Sequence, residues 1–197
     1  MATIILGGAA CVWDDLARAE RLCDADCIIA INDAGASHRG HLDHWVSLHP
    51  EKFQTWMDRR SKRRLPPPGT VWFHRGVGER EVRRFGGEFQ STEDWGGSSG
   101  LFAVKVALEQ GASHVILCGV PMDPEQGHYF DEKPWKDGRK YHAAWEKRRE
   151  EMAGRVRSMS GWTAQLLGEP DEVWLSSTVA AVPRHNKERP SGTQGSN

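Results

Sequence analysis

Short apolar runs punctuate the chain at residues 3–6, 27–31, 45–48, 70–74 and 114–120. Each is rich in β-branched or aromatic residues and lacks clean alternation, the pattern of strands buried on both faces. Amphipathic stretches lie between them. Residues 16–22 predict a first short helix, and Pro50 opens another that runs to about Arg60, where its missing N–H costs nothing. Leu101, Val104 and Leu108 recur at helical spacing, and Gly111 closes that helix. Residues 139–159 read as a charged helix with Tyr141, Ala144, Trp145, Arg148 and Met152 inward. Residues 75–95 read as a long surface connection, residues 133–138 as a loop, and residues 173–175 as a last strand ending at Ser176 and Ser177. Strand–helix alternation predicts a single Rossmann-like α/β domain with a largely parallel sheet flanked by helices. That domain is expected over residues 1–182, with a disordered polar tail at 183–197.

Composition adds limits. A chain of 197 residues with a formal net charge of −1 gives no global argument for nucleic acid or a membrane surface. The mean hydropathy of −0.62 is polar, but nine Trp supply core material. Cys11, Cys23, Cys27 and Cys118 form no disulfide framework, and Cys11 and Cys118 sit in apolar runs as small buried hydrophobes. That usage suits a reducing cytoplasm. Residues 1–13 are apolar but lack a basic leader and are followed by Asp14 and Asp15, so a soluble cytoplasmic protein is expected.

The candidate chemistry gathers at strand ends. Gly7, Gly8 and Ala9 follow the first run, so strand, small-residue turn and helix read either as a nucleotide-binding opening or as a tight packing turn. Asn32 and Asp33 follow the second run, where open α/β sheets bind ligands and where turn formers are also common. Ser98, Ser99 and Gly100 open the central helix. Its amides and dipole suit a phosphate, and its hydroxyls equally suit an ordinary cap. Gly119 ends the 114–120 run, and a polar loop then carries Asp123, His128 and Tyr129. His38, His41 and His44 repeat every three residues but are interrupted by Gly40, so a metal site is not expected from them. Arg59, Arg60, Lys62, Arg63 and Arg64 form a basic cluster, read as a solvated helix end or as a landing site for an anionic acceptor.

The pattern S-G-x-x-A-x-x-x-A-x-x-x-G, followed by an apolar strand ending in Gly119 and a loop closing on Tyr129 and Asp131, resembles the core of the bacterial CMP-sialic acid sialyltransferases. It is also similar to their Rossmann-like relatives, the pterin diphosphokinases. The resemblance covers about residues 3–178. It implies a nucleotide loop at Gly7, Gly8 and Ala9, with further nucleotide contacts from Asn32, from Ser98, Ser99 and Gly100, from Gly119, and from Ser176 and Ser177. It implies that Tyr129 assists the departing phosphate and that His142 is the general base.

Three functions follow as expectations. The first is a metal-independent, nucleotide-dependent glycosyltransferase that needs no cofactor, using a CMP-type activated sugar and an acceptor hydroxyl. The second is a diphosphokinase whose Mg²⁺ would be held by carboxylates such as Asp33 or Asp123. The third is a nucleotide-binding domain without catalysis, in a phage or mobile-element setting.

Overall fold

A computed structural model describes residues 1–75 and 89–178. Seven strands form one parallel sheet: β1 (Ala2–Leu6), β2 (Cys27–Ile31), β3 (His44–Ser47), β4 (Thr70–His74), β5 (Phe89–Thr92), β6 (His114–Cys118) and β9 (Val156–Ser158). Their order is β5-β4-β3-β2-β1-β6-β9. A small antiparallel hairpin, β7 (Gly127–His128) with β8 (Asp131–Pro134), stands apart. The expected Rossmann-like α/β architecture is therefore present.

Helices cover both faces of the sheet. Ile5, Ile29, Ile31, Val46, Val115 and Leu117 point to one face and pack with Leu101, Phe102, Val104 and Val106 of α4 (Ser99–Glu109). Alternate residues point the other way, as the period of two demands. Ile4, Leu6, Ile116 and Cys118 pack with α1 (Val12–Ala19). Ala30, Trp45 and Phe73 pack with α2 (Ala34–Ser37) and α3 (Phe53–Lys62) through Ala36, Phe53 and Trp56. Burying one such large side chain contributes roughly 1.5–3 kcal/mol, so the two apolar layers hold the sheet. A 3₁₀ turn at Pro50–Lys52 precedes α3, as the proline predicts. Gly111, with φ +87°, closes α4. Its amide bonds to the Leu108 carbonyl and the Ala112 amide to the Ala107 carbonyl, a left-handed cap that satisfies two orphan carbonyls.

Three elements differ from the pattern reading. The region expected as one helix holds a 3₁₀ turn (Gly138–Tyr141), α5 (His142–Lys147), α6 (Arg149–Met152) and then strand β9. Gly154, with φ +72°, ends the helical part and lets Val156 and Ser158 turn inward. After β9 come α7 (Gly161–Leu167) and α8 (Glu172–Ser176). The expected last strand at 173–175 is thus the helix α8, because Asp171 caps the Trp174 amide at 2.7 Å. The expected long connection contains β5, which pairs with β4 at the sheet edge. The expected disordered tail at 183–197 lies outside the described residues. No helix among the described residues is long and apolar enough to cross a membrane.

Candidate functional site

The chain steps outward from β1 to β5, then returns over α4 to add β6 on the other side of β1. The connections leaving β1 and β6 therefore diverge, and a crevice opens beyond their carboxyl ends. A cleft of about 200 Å³ lies there. Its lining includes Gly7, Gly8, Ala9, Asn32, Ser98, Ser99, Gly100, Gly119 and Asp123. Nine of the residues singled out in the sequence thus share one cavity.

The two loops meet closely. Gly7 donates its amide to the Cys118 carbonyl at 2.7 Å, and Ala9 donates to the Gly119 carbonyl at 3.1 Å. A Cβ on Gly7 would stand 2.2 Å from the Gly119 oxygen, so only glycine fits. Gly119 has φ +67°, and its amide donates to the buried Asp15 carboxylate at 2.9 Å. The same oxygen accepts the Ser160 hydroxyl at 2.7 Å. Thr163 donates to the Val120 carbonyl at 2.6 Å. The loop after β6 is therefore fixed from behind by α1 and α7. Cys11 also contacts Ser160, and burial pushes its thiol up to about 11, which leaves it a packed, unreactive group.

Asn32 takes the left-handed conformation, with φ +51°. Its backbone carbonyl accepts the Trp45 indole N–H, and its side-chain oxygen accepts the Ser47 hydroxyl at 2.8 Å. The amide is thereby oriented, and its Nδ2 hydrogens remain as donors at the cleft. At α4, Ser98 Oγ accepts both the Leu101 amide and the Trp145 indole N–H, each at 3.3 Å. Ser99 Oγ accepts the Leu48 amide at 3.3 Å. Both oxygens accept from the fold, which orients the hydroxyls and leaves each O–H proton to donate. What the helix start offers a ligand is its first-turn amides, its dipole and these hydroxyl protons.

The hairpin completes the cleft. Ala10 donates to the Gly127 carbonyl at 2.9 Å and Tyr129 donates its amide to the Gly8 carbonyl at 3.0 Å. His128 lines the cleft, and its Nδ1–H donates to the Gly8 carbonyl at 3.0 Å. That bond fixes the tautomer and leaves Nε2 as the acceptor. Its ring stacks on Phe130, with centroids 5.1 Å apart. Trp135 and Tyr141, stacked at 5.8 Å, add an aromatic wall. The pattern reading missed Trp135 and Tyr141 as site residues and named His128 only as part of the loop. The available signal was aromatics recurring inside an otherwise polar loop.

Other expected site residues sit elsewhere. Tyr129 leaves the hairpin on the side opposite His128: its hydroxyl donates to the Asp33 carbonyl at 3.0 Å and accepts from Ser37 at 2.8 Å. It lines a different groove beside Trp13. His142 is not part of the cleft lining. Its Nε2–H donates to the Met122 carbonyl at 2.8 Å and its ring lies flat on Trp162, 3.6 Å between centroids. It buttresses the cleft loop from behind. Ser176 and Ser177 are exposed at the end of α8, bonded to their own Val173 and Trp174 carbonyls. Trp174 of that helix packs on His114, the first residue of β6, whereas the cleft lies past its last. Asp33 is buried behind Gly8, and its Oδ2 has no hydrogen-bond partner among the described residues. Burial pushes its carboxyl above the ordinary range, against the pull of nearby His128. Asp33 and Asp123 therefore do not both line the cleft.

The histidine run disperses. His38 lies beside Trp13, His41 pairs with Asp43 at 3.4 Å, and His44 Nδ1 accepts the Trp72 indole N–H at 3.2 Å. Among the described residues, no three His, Cys, Asp or Glu gather as metal ligands. Within the basic cluster Arg60 is neither solvated nor a landing site. It is 1% exposed and donates to the carbonyls of Gly35, His38, Gly40 and Pro66. No family model, curated protein or solved structure matches the chain.

Proposed function

We propose that the cleft beyond β1 and β6 holds the phosphate-bearing part of a nucleotide-activated donor, and that the protein is a nucleotide-dependent transferase of the glycosyltransferase kind. One observation carries the reading: a glycine turn, a helix N-terminus and the oriented Asn32 amide all line one cavity at the switch point of a parallel sheet. The resemblance of residues 96–131 to the sialyltransferase core points the same way and favours a CMP-type donor.

In this reading an acceptor hydroxyl attacks the anomeric carbon, and the bond from that carbon to the phosphate oxygen breaks. The hydroxyl proton passes to His128 Nε2, the acceptor of the neutral ring whose Nδ1–H is held by the Gly8 carbonyl. The charge left on the nucleotide phosphate is met by amides of the α4 first turn and the Gly7, Gly8, Ala9 turn. Trp135 and Tyr141 offer an aromatic surface for the base. His142 and Tyr129 serve as positioning residues for the loops they brace.

A thermal-shift series with CMP, CDP, UDP, GDP and ATP tests the site. A cognate nucleotide at a hundred times its Kd stabilises by about 2.7 kcal/mol, and Asn32→Ala diminishes that shift. An unmoved Tm with every nucleotide refutes the reading. With a donor in hand, His128→Gln lowers turnover by about 10²-fold while leaving the nucleotide shift in place. Equal loss in His142→Ala would return the base to that residue.

A further inference from the structure

Arg63 of the basic cluster and Trp13 have no part in the cleft, yet both line a groove on the other side of the hairpin. That groove, of about 1050 Å³ and larger than the cleft, runs between α1 and α3. Trp13, His38 and Tyr129 supply its aromatic surface, and Arg39 and Arg63 its charge. Among the described residues no carboxylate is part of its lining. The described lining therefore carries positive charge, although the whole chain carries −1.

Trp13, His38, Tyr129 and Arg63 are held in place, while Arg39 is exposed. Trp13 meets the edge of Tyr129 at 5.5 Å, and the Tyr129 hydroxyl is fixed at both ends. The His38 and Trp13 ring planes are 17° from parallel with centroids 6.5 Å apart, so two aromatic faces share one orientation. Arg63 uses Nη1 on the Ala36 carbonyl at 3.1 Å and the Ser37 hydroxyl at 3.0 Å. A guanidinium has five N–H donors in a planar fork, so the anchored group keeps donors for an anion. Beneath it the buried Arg60 ties the Gly35, His38 and Gly40 carbonyls together, which makes the groove floor rigid.

Parallel aromatic faces with guanidinium groups and no carboxylate are the features that read bases by stacking and phosphates by charge. We propose that this groove is a second site, independent of the transferase reading, which binds a segment of single-stranded nucleic acid. One base stacks on Trp13, and adjoining phosphates face Arg39 and Arg63. A strand fits better than a lone nucleotide because the cations stand on separate segments, Arg39 just after α2 and Arg63 at the end of α3.

The test is fluorescence anisotropy of the full chain with a labelled twelve-residue oligothymidylate, titrated with salt. Binding that weakens with salt is expected, and Trp13→Ala lowers affinity about tenfold. Trp13→Phe retains a stacking face and restores most of that loss. Arg39 is exposed, so Arg39→Ala keeps the fold while lowering the slope of log affinity against log salt by about 0.7. Asn32→Ala, in the cleft, leaves strand binding unchanged. The proposal is overturned by absence of binding at low salt, by equal binding in Trp13→Ala with an unaltered melting curve, or by an unaltered salt slope in Arg39→Ala. Loss of binding in Asn32→Ala overturns it too, since the strand would then occupy the cleft. Tighter binding of mononucleotide than of oligomer also counts against it.

Discussion

The cleft and the groove share a wall at residues 127–129 but are made of different chemistry. The phosphate end of the cleft is built from glycines, amides and one oriented Asn, so its shape depends on how closely two backbone loops approach. The groove is built from rings and guanidinium groups, so its shape depends on side chains held by carbonyls. Backbone sites tolerate no added atoms where chains touch. Side-chain sites tolerate repacking but fail when a buried anchor is lost. The difference predicts which substitutions damage one region and spare the other.

The largest effect is expected from Gly7→Ala. Its Cβ would stand 2.2 Å from the Gly119 carbonyl oxygen, a backbone atom that cannot rotate away. The β1 and β6 loops must part, at a stability cost on the order of 3 kcal/mol or more. Urea denaturation reads this directly, and nucleotide-induced stabilisation should vanish as well. An unshifted midpoint would mean that the two loops are not in contact.

Arg60→Met comes next. It removes one cation and leaves four carbonyls, those of Gly35, His38, Gly40 and Pro66, without their donor. An unsatisfied buried polar group costs about 1–3 kcal/mol, and partial rehydration of these carbonyls brings the expected loss to about 2–4 kcal/mol. The damage falls on the groove, so strand binding weakens while nucleotide stabilisation of the surviving folded protein persists. Equal damage to both would show that the shared wall transmits the change.

The smallest effect, and one of opposite sign, belongs to Asp33→Asn. The folded-state carboxyl is raised above its ordinary value because burial penalises the charge, and Oδ2 lacks a hydrogen-bond partner among the described residues. For a raised acid, the penalty is fully present above the folded pKa and disappears as pH falls through it toward the unfolded value. The variant is therefore expected to melt higher than the parent at pH 7, with the difference shrinking toward about pH 4. A variant less stable at neutral pH would mean that Asp33 holds a partner worth more than its burial costs.

Much of this organisation was legible in the sequence, for identifiable reasons. Short apolar runs rich in β-branched or aromatic residues read as buried strands, and β1, β2, β3, β4 and β6 formed within a residue or two of where the pattern put them. The Ser98 cap and Gly111 stop bracketed α4 because both obey local backbone rules. The short elements were not legible. Val156–Ser158 and Glu172–Ser176 each carry too few residues for periodicity to speak, and a single capping carboxylate or a left-handed glycine decided between strand and helix.

The site divides in the same way. The sequence by itself determined that Gly7, Gly8, Asn32, Ser98 and Gly119 stand at strand or helix ends, and in a parallel sheet those ends converge. It did not determine which side chains of the 121–142 segment enter the cavity. His128 ends β7 and Tyr129 begins the hairpin turn, so their order in the chain does not say which side each side chain takes. Only the docking of that stretch on the Gly8 carbonyl chose His128 for the cleft and Tyr129 for the groove. His142 likewise met Trp162 and the Met122 carbonyl, partners 20 residues away in sequence, and was turned into a brace. Local spacing fixes where the backbone ends a strand. Which face a loop residue presents is set by hydrogen bonds to distant carbonyls, and those exist only once the sheet is assembled.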